Sequence, residues 1–189
     1  MGPAARRGVG GGPARDAPRG QGKRLPMNFW DSSAIIALVA EEPMAPVARR
    51  VLDADGRVAV WWGTSVECAA TLARKEREDA ARGDSPAVAA AAAERGRRLG
   101  ELEDQWHEVH PGRRLQALAR RLVRVHPLTT PDGLQLAAAI TLAEDQPEGV
   151  GFLSFDAQLN RAASREGFTL PTPGPEAVDP PGLTVPPRD

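Results

Sequence analysis

The chain is poor in aromatic and sulfur-containing side chains. It has no tyrosine, and aromatic residues make up only 4% of its 189 residues. A buried core must therefore consist mainly of Leu, Val, Ile and Ala. The single cysteine, Cys68, excludes an internal disulfide and is typical of a reducing compartment. With three histidines besides, the chain lacks the ligands of a structural zinc site. We therefore expect a cytoplasmic protein.

Long apolar runs and a large net charge are also absent. The longest apolar run, PAVAAAAA (86–93), is far shorter than the roughly 20 residues that span a bilayer, so no membrane contact is expected. The formal net charge is −1, which excludes binding of nucleic acid by bulk attraction alone. A nucleic-acid partner would have to contact local clusters of the 24 basic residues.

Composition divides the chain into three parts. Residues 1–26 hold seven glycines, four prolines and six basic residues, which predicts a flexible basic arm without the apolar segment of a secretory signal. Because Met27 follows directly, an alternative explanation of this arm is that a start codon upstream of the true one was chosen. Residues 171–189 hold seven prolines and predict a disordered or extended tail. The folded unit is therefore expected at 27–170.

Within the folded unit, short apolar segments alternate with helical patterns. No hairpin turn signal joins the apolar segments, which favours an α/β fold with a mainly parallel sheet. Strands that are buried on both faces also explain why these segments are continuously apolar. The predicted strands are 27–30, 57–62, 123–128, 149–155 and 168–170.

Four acidic residues stand where predicted strands end or the following helices begin. Asp31 and Asp156 follow strands directly, and Glu67 and Asp132 lie in first helical turns. The carboxyl ends of parallel strands share one edge of the sheet, where open α/β folds bind ligands. Carboxylates gathered there repel one another unless a cation is bound, and Mg²⁺ prefers such oxygen ligands. This pattern predicts metal-assisted hydrolysis of a phosphodiester.

Three of the four acids also have a local structural interpretation as helix-capping residues. Glu67 stands three residues after Thr64, which is the spacing of a capping box. Asp132 suits the helix that Thr130 and Pro131 begin, and Asp156 suits a helix N-cap. Taken singly, the capping roles of Glu67 and Asp132 are favoured; the coincidence of four acids at one edge favours function. Ser154 faces the same side of its strand as Asp156 and is a candidate for orienting a water or ligand.

These residues resemble the motifs of a known family. The segments DSSAIIAL (31–38), SVE (65–67), DGLQLAAA (132–139) and FLSFDAQL (152–159) are similar to those of PIN-domain ribonucleases, and most similar to VapC-type toxins of toxin–antitoxin pairs. The resemblance covers about 27–170, in the order of the family. It implies a three-layer sandwich in which a mainly parallel sheet is flanked by helices.

The resemblance also implies an activity. Asp31, Glu67, Asp132 and Asp156 correspond to the acidic quartet that holds Mg²⁺ or Mn²⁺, and Ser154 lies beside it. The implied reaction is endonucleolytic cleavage of RNA, frequently tRNA or ribosomal RNA. The implied partners are a second copy of the chain and a small antitoxin protein. The basic arm, the proline-rich tail and the long segment 79–112 depart from the family pattern.

Other functions remain open. A structure-specific or DNA-directed nuclease with the same quartet is the nearest enzymatic alternative, and the basic arm favours it. A PIN-like module that binds RNA or protein without cleaving it is another. Receiver-like signalling domains and haloacid-dehalogenase-like phosphatases are disfavoured, because they use a lysine near a late strand and this chain has only Lys23 and Lys75.

Overall fold

The computed structural model describes residues 27–83 and 85–171, in which short strands alternate with helices. The predicted basic arm at 1–26 and nearly all of the predicted tail at 171–189 lie outside the described residues. The elements in chain order are β1 (Asn28–Trp30), α1 (Ser32–Val39), α2 (Ala45–Asp55), β2 (Val58–Trp61), α3 (Thr64–Arg82), α4 (Pro86–Glu103), β3 (His107–Val109), α5 (Arg113–Val125), α6 (Thr130–Leu142), β4 (Phe152–Leu153) and α7 (Ala157–Arg165).

The four strands form one parallel sheet in the order β3-β2-β1-β4. In the centre, Phe29 pairs with Ala59 of β2 and with Phe152 of β4. The pairing continues past the strand ends, because the Asp31 amide donates to the Leu153 carbonyl at 2.9 Å. All four carboxyl ends therefore lie along one edge, and α1, α3 and α7 begin beside it.

Neighbouring residues of the strands enter two separate cores. Phe29, Trp61 and Phe152 pack with α5, α6 and α7 on one face. Trp30, Val60 and Leu153 pack with the first four helices on the other. The side-chain alternation of a strand places these neighbours on opposite faces. The predicted fold class is confirmed: the protein is an α/β three-layer sandwich with a parallel central sheet.

An aromatic cluster fixes the centre of one core. The rings of Phe29 and Phe152, on adjacent strands, stack with centroids 5.5 Å apart. Phe168, which follows α7, lies against Phe152 at 5.6 Å. All three are almost fully buried. Three of the four phenylalanines of this aromatic-poor chain therefore join two strands to the last described segment.

Two strand predictions are wrong. Segment 123–128 continues helix α5 to Val125, because Leu115, Ala119 and Leu122 form one buried helical stripe that reaches it. The sheet instead includes β3 (His107–Val109), an edge strand in which only Val109 is buried. Its polar sequence did not predict a strand, because an edge strand needs little apolar surface. At 168–170 only Thr169 pairs, as an isolated bridge to Gly151.

Helices α3 and α4 form a long antiparallel hairpin. At about 1.5 Å per residue, their 19 and 18 residues extend roughly 28 Å, whereas β2 spans roughly 13 Å. The buried side chains of α3 are Thr64, Cys68 and Leu72, and that of α4 is Leu99. Further out, the Arg95 guanidinium bonds the Asp79 carboxylate at 2.8 Å. The outer half of the hairpin thus lies beyond the core.

Among the described residues, no helix combines the length and hydrophobicity needed to cross a membrane.

Helices α5 and α6 are in close contact at Gly133. A Cβ added to Gly133 would stand 2.5 Å from Cγ1 of Val123. A β-branched side chain in a helix has little rotamer freedom to withdraw. We expect Gly133→Ala to destabilise the protein by roughly 1–3 kcal/mol through overpacking, as measured by urea unfolding. Val123→Ala should recover most of that loss in the double variant; additive losses would contradict this contact as the cause.

Candidate functional site

Asp31 is a nearly buried carboxylate at the carboxyl end of β1. It is only 5% exposed and is the N-cap of α1. Oxygen Oδ2 accepts hydrogen bonds from the Ser33 amide at 3.1 Å and from the Ser33 hydroxyl at 2.6 Å. The hydrogen bonds from described residues to this carboxylate all end on Oδ2, so Oδ1 is left for another ligand. Asp31, which stands between two apolar segments, therefore has one carboxylate oxygen that the described residues bond and one that they do not.

Two hydroxyls connect Asp31 to the end of β4. Ser154, 5% exposed, donates to Asp31 Oδ2 at 3.0 Å and accepts from the Asp156 amide at 3.0 Å. The Ser33 hydroxyl accepts from the Phe155 amide at 2.9 Å. The ends of β1 and β4 are therefore joined by side-chain hydrogen bonds beyond their last paired residues. Ser154 orients the Asp31 carboxylate, which agrees with its predicted place beside the acids.

Glu67 does not take part in the predicted capping box. The N-cap of α3 is Gly63, and Thr64 is fully buried as the first helical residue. A side chain at position 63 would meet Nε1 of Trp61 at 2.5 Å, so the tight turn after β2 favours glycine as the cap. The Glu67 carboxylate instead accepts from the side-chain amide of Gln135 on α6, at 2.9 Å. The structure therefore contradicts a capping-box role for Glu67.

Asp31 and Glu67 interact electrostatically. Burial is the largest effect and raises the pKa of Asp31, and the charge of Glu67 raises it further. The hydrogen bonds from Ser33 and Ser154 oppose this rise in the pKa. Neither carboxylate has an ion pair with a described residue. Cys68, next to Glu67, is buried, and the pKa of its thiol is raised by burial and by these acids, which excludes it as a nucleophile.

Asp132 forms a capping box rather than contacting the other acids. Its carboxylate accepts from the Thr129 hydroxyl at 2.6 Å and from the Thr129 amide at 3.2 Å. The predicted cap, Thr130, is already helical, and the preceding element is α5 rather than a strand. Asp132 nevertheless lies one turn before Gln135, on the same side of α6. Its position is therefore one helical turn away from the group that bonds Glu67.

Asp156 is exposed and caps α7. Its Oδ1 accepts from the amides of Gln158 and Leu159, both at 2.7 Å. Only its backbone amide, bonded to Ser154, connects it to Asp31. The structure therefore joins Asp31 and Ser154 by a hydrogen bond and places Glu67 near enough for its charge to raise the pKa of Asp31. It adds Asp156 through its backbone and engages the Asp132 carboxylate in a helix cap.

Sequence reasoning missed three contributors to this region. Ser33 donates two hydrogen bonds to Asp31; it lies in the segment 31–38 but was not assigned to the site. Gln135 is a single amide within the apolar segment LQLAAAI, and that isolated polarity was the available signal. Glu103, at the end of α4, accepts from Ser65 at 2.6 Å, and its charge raises the pKa of Cys68, as do those of Glu67 and Asp31. Nothing in the sequence pattern relates residue 103 to residue 65.

The donor set suits a hard divalent cation at two of its four predicted positions. Asp31 Oδ1 is free of hydrogen bonds from the described residues, and two neighbouring carboxylates without an ion pair are stabilised by such a cation. Over 27–83 and 85–171, however, no three Asp, Glu, His or Cys side chains are grouped as metal ligands. Completion of the site would require Asp132 or Asp156 to reach the cation with the carboxylate oxygen that its helix cap does not use, Oδ1 of Asp132 or Oδ2 of Asp156.

No protein-family model matches the chain, and no curated protein is significantly similar to it.

Proposed function

We propose that the protein is a Mg²⁺- or Mn²⁺-dependent endoribonuclease. The observation that carries the proposal is Asp31: a nearly buried carboxylate near Glu67, at the carboxyl edge of a parallel sheet, with no ion pair to a basic side chain within 27–83 and 85–171. Isolated buried charge is costly, and a bound cation is the usual compensation. The family resemblance at residues 31–38, 65–67, 132–139 and 152–159 supports the same chemistry.

Each residue has a distinct role in this proposal. Asp31 and Glu67 hold the cation, and Asp156 and Asp132 complete its surroundings from the N-termini of α7 and α6. Ser154 and Ser33 fix the orientation of the Asp31 carboxylate. Mg²⁺ or Mn²⁺ would supply Lewis-acid polarisation of a phosphodiester there, for hydrolysis by water. The buried thiol Cys68 has no role in this proposal.

Helix α5 offers contacts for the phosphate backbone of RNA. Its arginines are not equivalent: Arg114 bonds Asp145, and Arg121 bonds Glu166. Arg120 and Arg124, one turn apart, form no ion pair with a described residue and line a shallow hollow of about 390 Å³ with Ala117 and Val125. Two free guanidinium groups at this spacing suit successive phosphates, which would make binding depend on salt.

The biological setting is part of the same proposal. The resemblance to VapC-type toxins suggests a cytoplasmic toxin that acts on tRNA or ribosomal RNA. It also suggests that the chain forms a homodimer and that a cognate antitoxin protein neutralises it. We therefore expect a small antitoxin protein to co-purify with the chain.

A second function is favoured by one observation. The Asp132 and Asp156 carboxylates are engaged in helix caps, and this arrangement suits a module that binds RNA or protein without cleaving it. The two proposals differ in one respect. A nuclease requires these acids to contact a cation with the oxygens that their caps do not use, whereas a binding module does not.

The decisive experiment is cleavage of total cellular RNA by the full chain, purified free of any bound protein. We expect discrete fragments with Mg²⁺ or Mn²⁺ and none with EDTA. Single-stranded and duplex DNA of matched length serve as the alternative substrates. Cleavage of DNA alone would support the DNA-directed nuclease, and retention of RNA without cleavage in any metal would support the binding module.

A further inference from the structure

Gln135 is a deeply buried polar side chain near the candidate metal site. It lies in the second turn of α6 and is only 1% exposed. Its neighbours along the helix, Leu136, Ala137 and Ala138, are completely buried. From this apolar surrounding its amide reaches the first turn of α3, where it contacts Thr64 and Glu67.

The hydrogen bonds of this amide define its orientation. Nε2 donates to Glu67 Oε2 at 2.9 Å and to Thr64 Oγ1 at 3.2 Å. An ionised carboxylate only accepts hydrogen bonds, so the group that faces Glu67 must be the NH₂ and not the carbonyl. Both amide hydrogens are then used, one for each acceptor. The side chain is therefore fixed at its polar end by two partners from another helix.

The other end of the amide has no partner. Gln135 Oε1 is buried and accepts no hydrogen bond in the described part of the chain. An orphaned buried acceptor destabilises the folded protein, and an apolar side chain of the same size would avoid that cost. A polar residue at this position is therefore unfavourable for the stability of the core. What it provides in return is a charge-assisted hydrogen bond to Glu67, which is stronger than one between neutral groups.

This bond restricts where the Glu67 carboxylate can lie. A glutamate loses side-chain entropy when it is ordered, and a cation that must order it binds more weakly for that reason. The hydrogen bond from Gln135 orders the Glu67 side chain before a cation binds. Because Glu67 Oε2 accepts from the amide, Oε1 remains for a cation, just as Oδ1 remains at Asp31.

We propose that Gln135 is a positioning residue that holds the Glu67 carboxylate in place for a divalent cation shared with Asp31. This inference rests on the proposed function, because it assigns Gln135 to the same site. It acts only through Glu67, and its own Oε1 is buried and bonds no described residue. Loss of such an outer partner of a metal ligand typically costs 10–100-fold in metal affinity.

The test is Mn²⁺ binding by the full chain, followed by electron paramagnetic resonance of the free ion. Gln135→Met removes both donors and keeps the length, and we expect the Kd for Mn²⁺ to rise about 10–100-fold. Its melting temperature in EDTA should be close to that of the wild type, because the orphaned carbonyl is lost as well. Gln135→Leu, with a different shape, should give the same two results, so that a packing defect in one variant does not decide the test.

Thr64→Val is the matched control. It removes the other acceptor of the same amide and leaves the Glu67 bond intact, so we expect Mn²⁺ affinity to be unchanged even if stability falls. Wild-type affinity in both Gln135 variants would overturn the inference, and so would an equal loss in Thr64→Val. If the wild type binds no Mn²⁺, or Asp31→Asn binds it equally well, the proposed function itself fails.

Discussion

Asp31→Asn is expected to lower metal-dependent RNA cleavage by roughly 10³-fold while the protein remains folded. Loss of one strong electrostatic group from a reacting site has effects of this size. Asn replaces Asp well as a helix N-cap, and its carbonyl oxygen can still accept from the Ser33 amide. The change therefore removes the negative charge and leaves the local geometry.

The same substitution should not reduce stability at neutral pH. Burial raises the pKa of Asp31 above its ordinary value of 3.8. The unfolded chain then releases its proton at lower pH than the folded protein does. Stability is therefore lost as pH rises from 3.8 through the higher folded pKa, and it stays reduced above that range. Asn cannot ionise, so we expect a melting temperature at pH 7 in EDTA equal to or above that of the wild type.

Both properties can be measured on one preparation. Cleavage of total RNA gives the activity, and calorimetry at pH 7 and pH 4 gives the melting temperature. The advantage of Asp31→Asn should shrink at the lower pH. Asp53→Asn, at an exposed aspartate of α2, serves as the control and should change neither property. Full activity in Asp31→Asn would refute the metal site, and a large loss of stability at pH 7 would refute the electrostatic argument.

Phe152→Ala should cause the largest loss of stability, about 3–5 kcal/mol. Phe152 is 1% exposed, and its ring contacts Phe29 and Phe168. The substitution would leave a cavity at the point where β4, β1 and the segment after α7 meet. In a domain of this size the melting temperature should fall by roughly 10 °C.

Phe152→Leu separates the cavity from the loss of the ring. It fills most of the volume, so we expect a loss of less than about 1.5 kcal/mol. Urea unfolding of the two variants and the wild type gives the three free energies. Equal losses in both variants would contradict the cavity explanation and indicate that ring stacking dominates.

The order of the main elements was predictable, and the reasons are physical. Apolar segments such as NFW (28–30) and FL (152–153) are buried on both sides of a parallel sheet, so they stand out from amphipathic helices. Gly56, with φ of 67°, is the left-handed C-cap that ends α2, a position that favours glycine. Strand β3 was not predictable, because His107 and Glu108 are partly exposed and its pairing depends on β2.

The candidate site residues could be selected from the sequence, but their contacts could not be predicted from it. Position at strand ends located Asp31 and Asp156, and it related Ser154 to both. The sequence could not predict whether an acid caps its own helix or contacts another element, because both roles use the same residue types at the same spacing. Glu67 and Asp132 show the two outcomes: Glu67 is bonded by an amide 68 residues away, whereas Asp132 caps its own helix.

The projecting hairpin of α3 and α4 has a consequence for how the molecule opens. Its buried side chains lie in the half near the sheet, from Thr64 to Leu72 and around Leu99. Further from the sheet, an ion pair between Asp79 and Arg95 joins the two helices. Because local unfolding free energies follow local burial, we expect the outer turns of α3 and α4 to unfold at a lower free energy than the sheet and both cores. Local unfolding of the hairpin and global unfolding of the domain should therefore have different free energies.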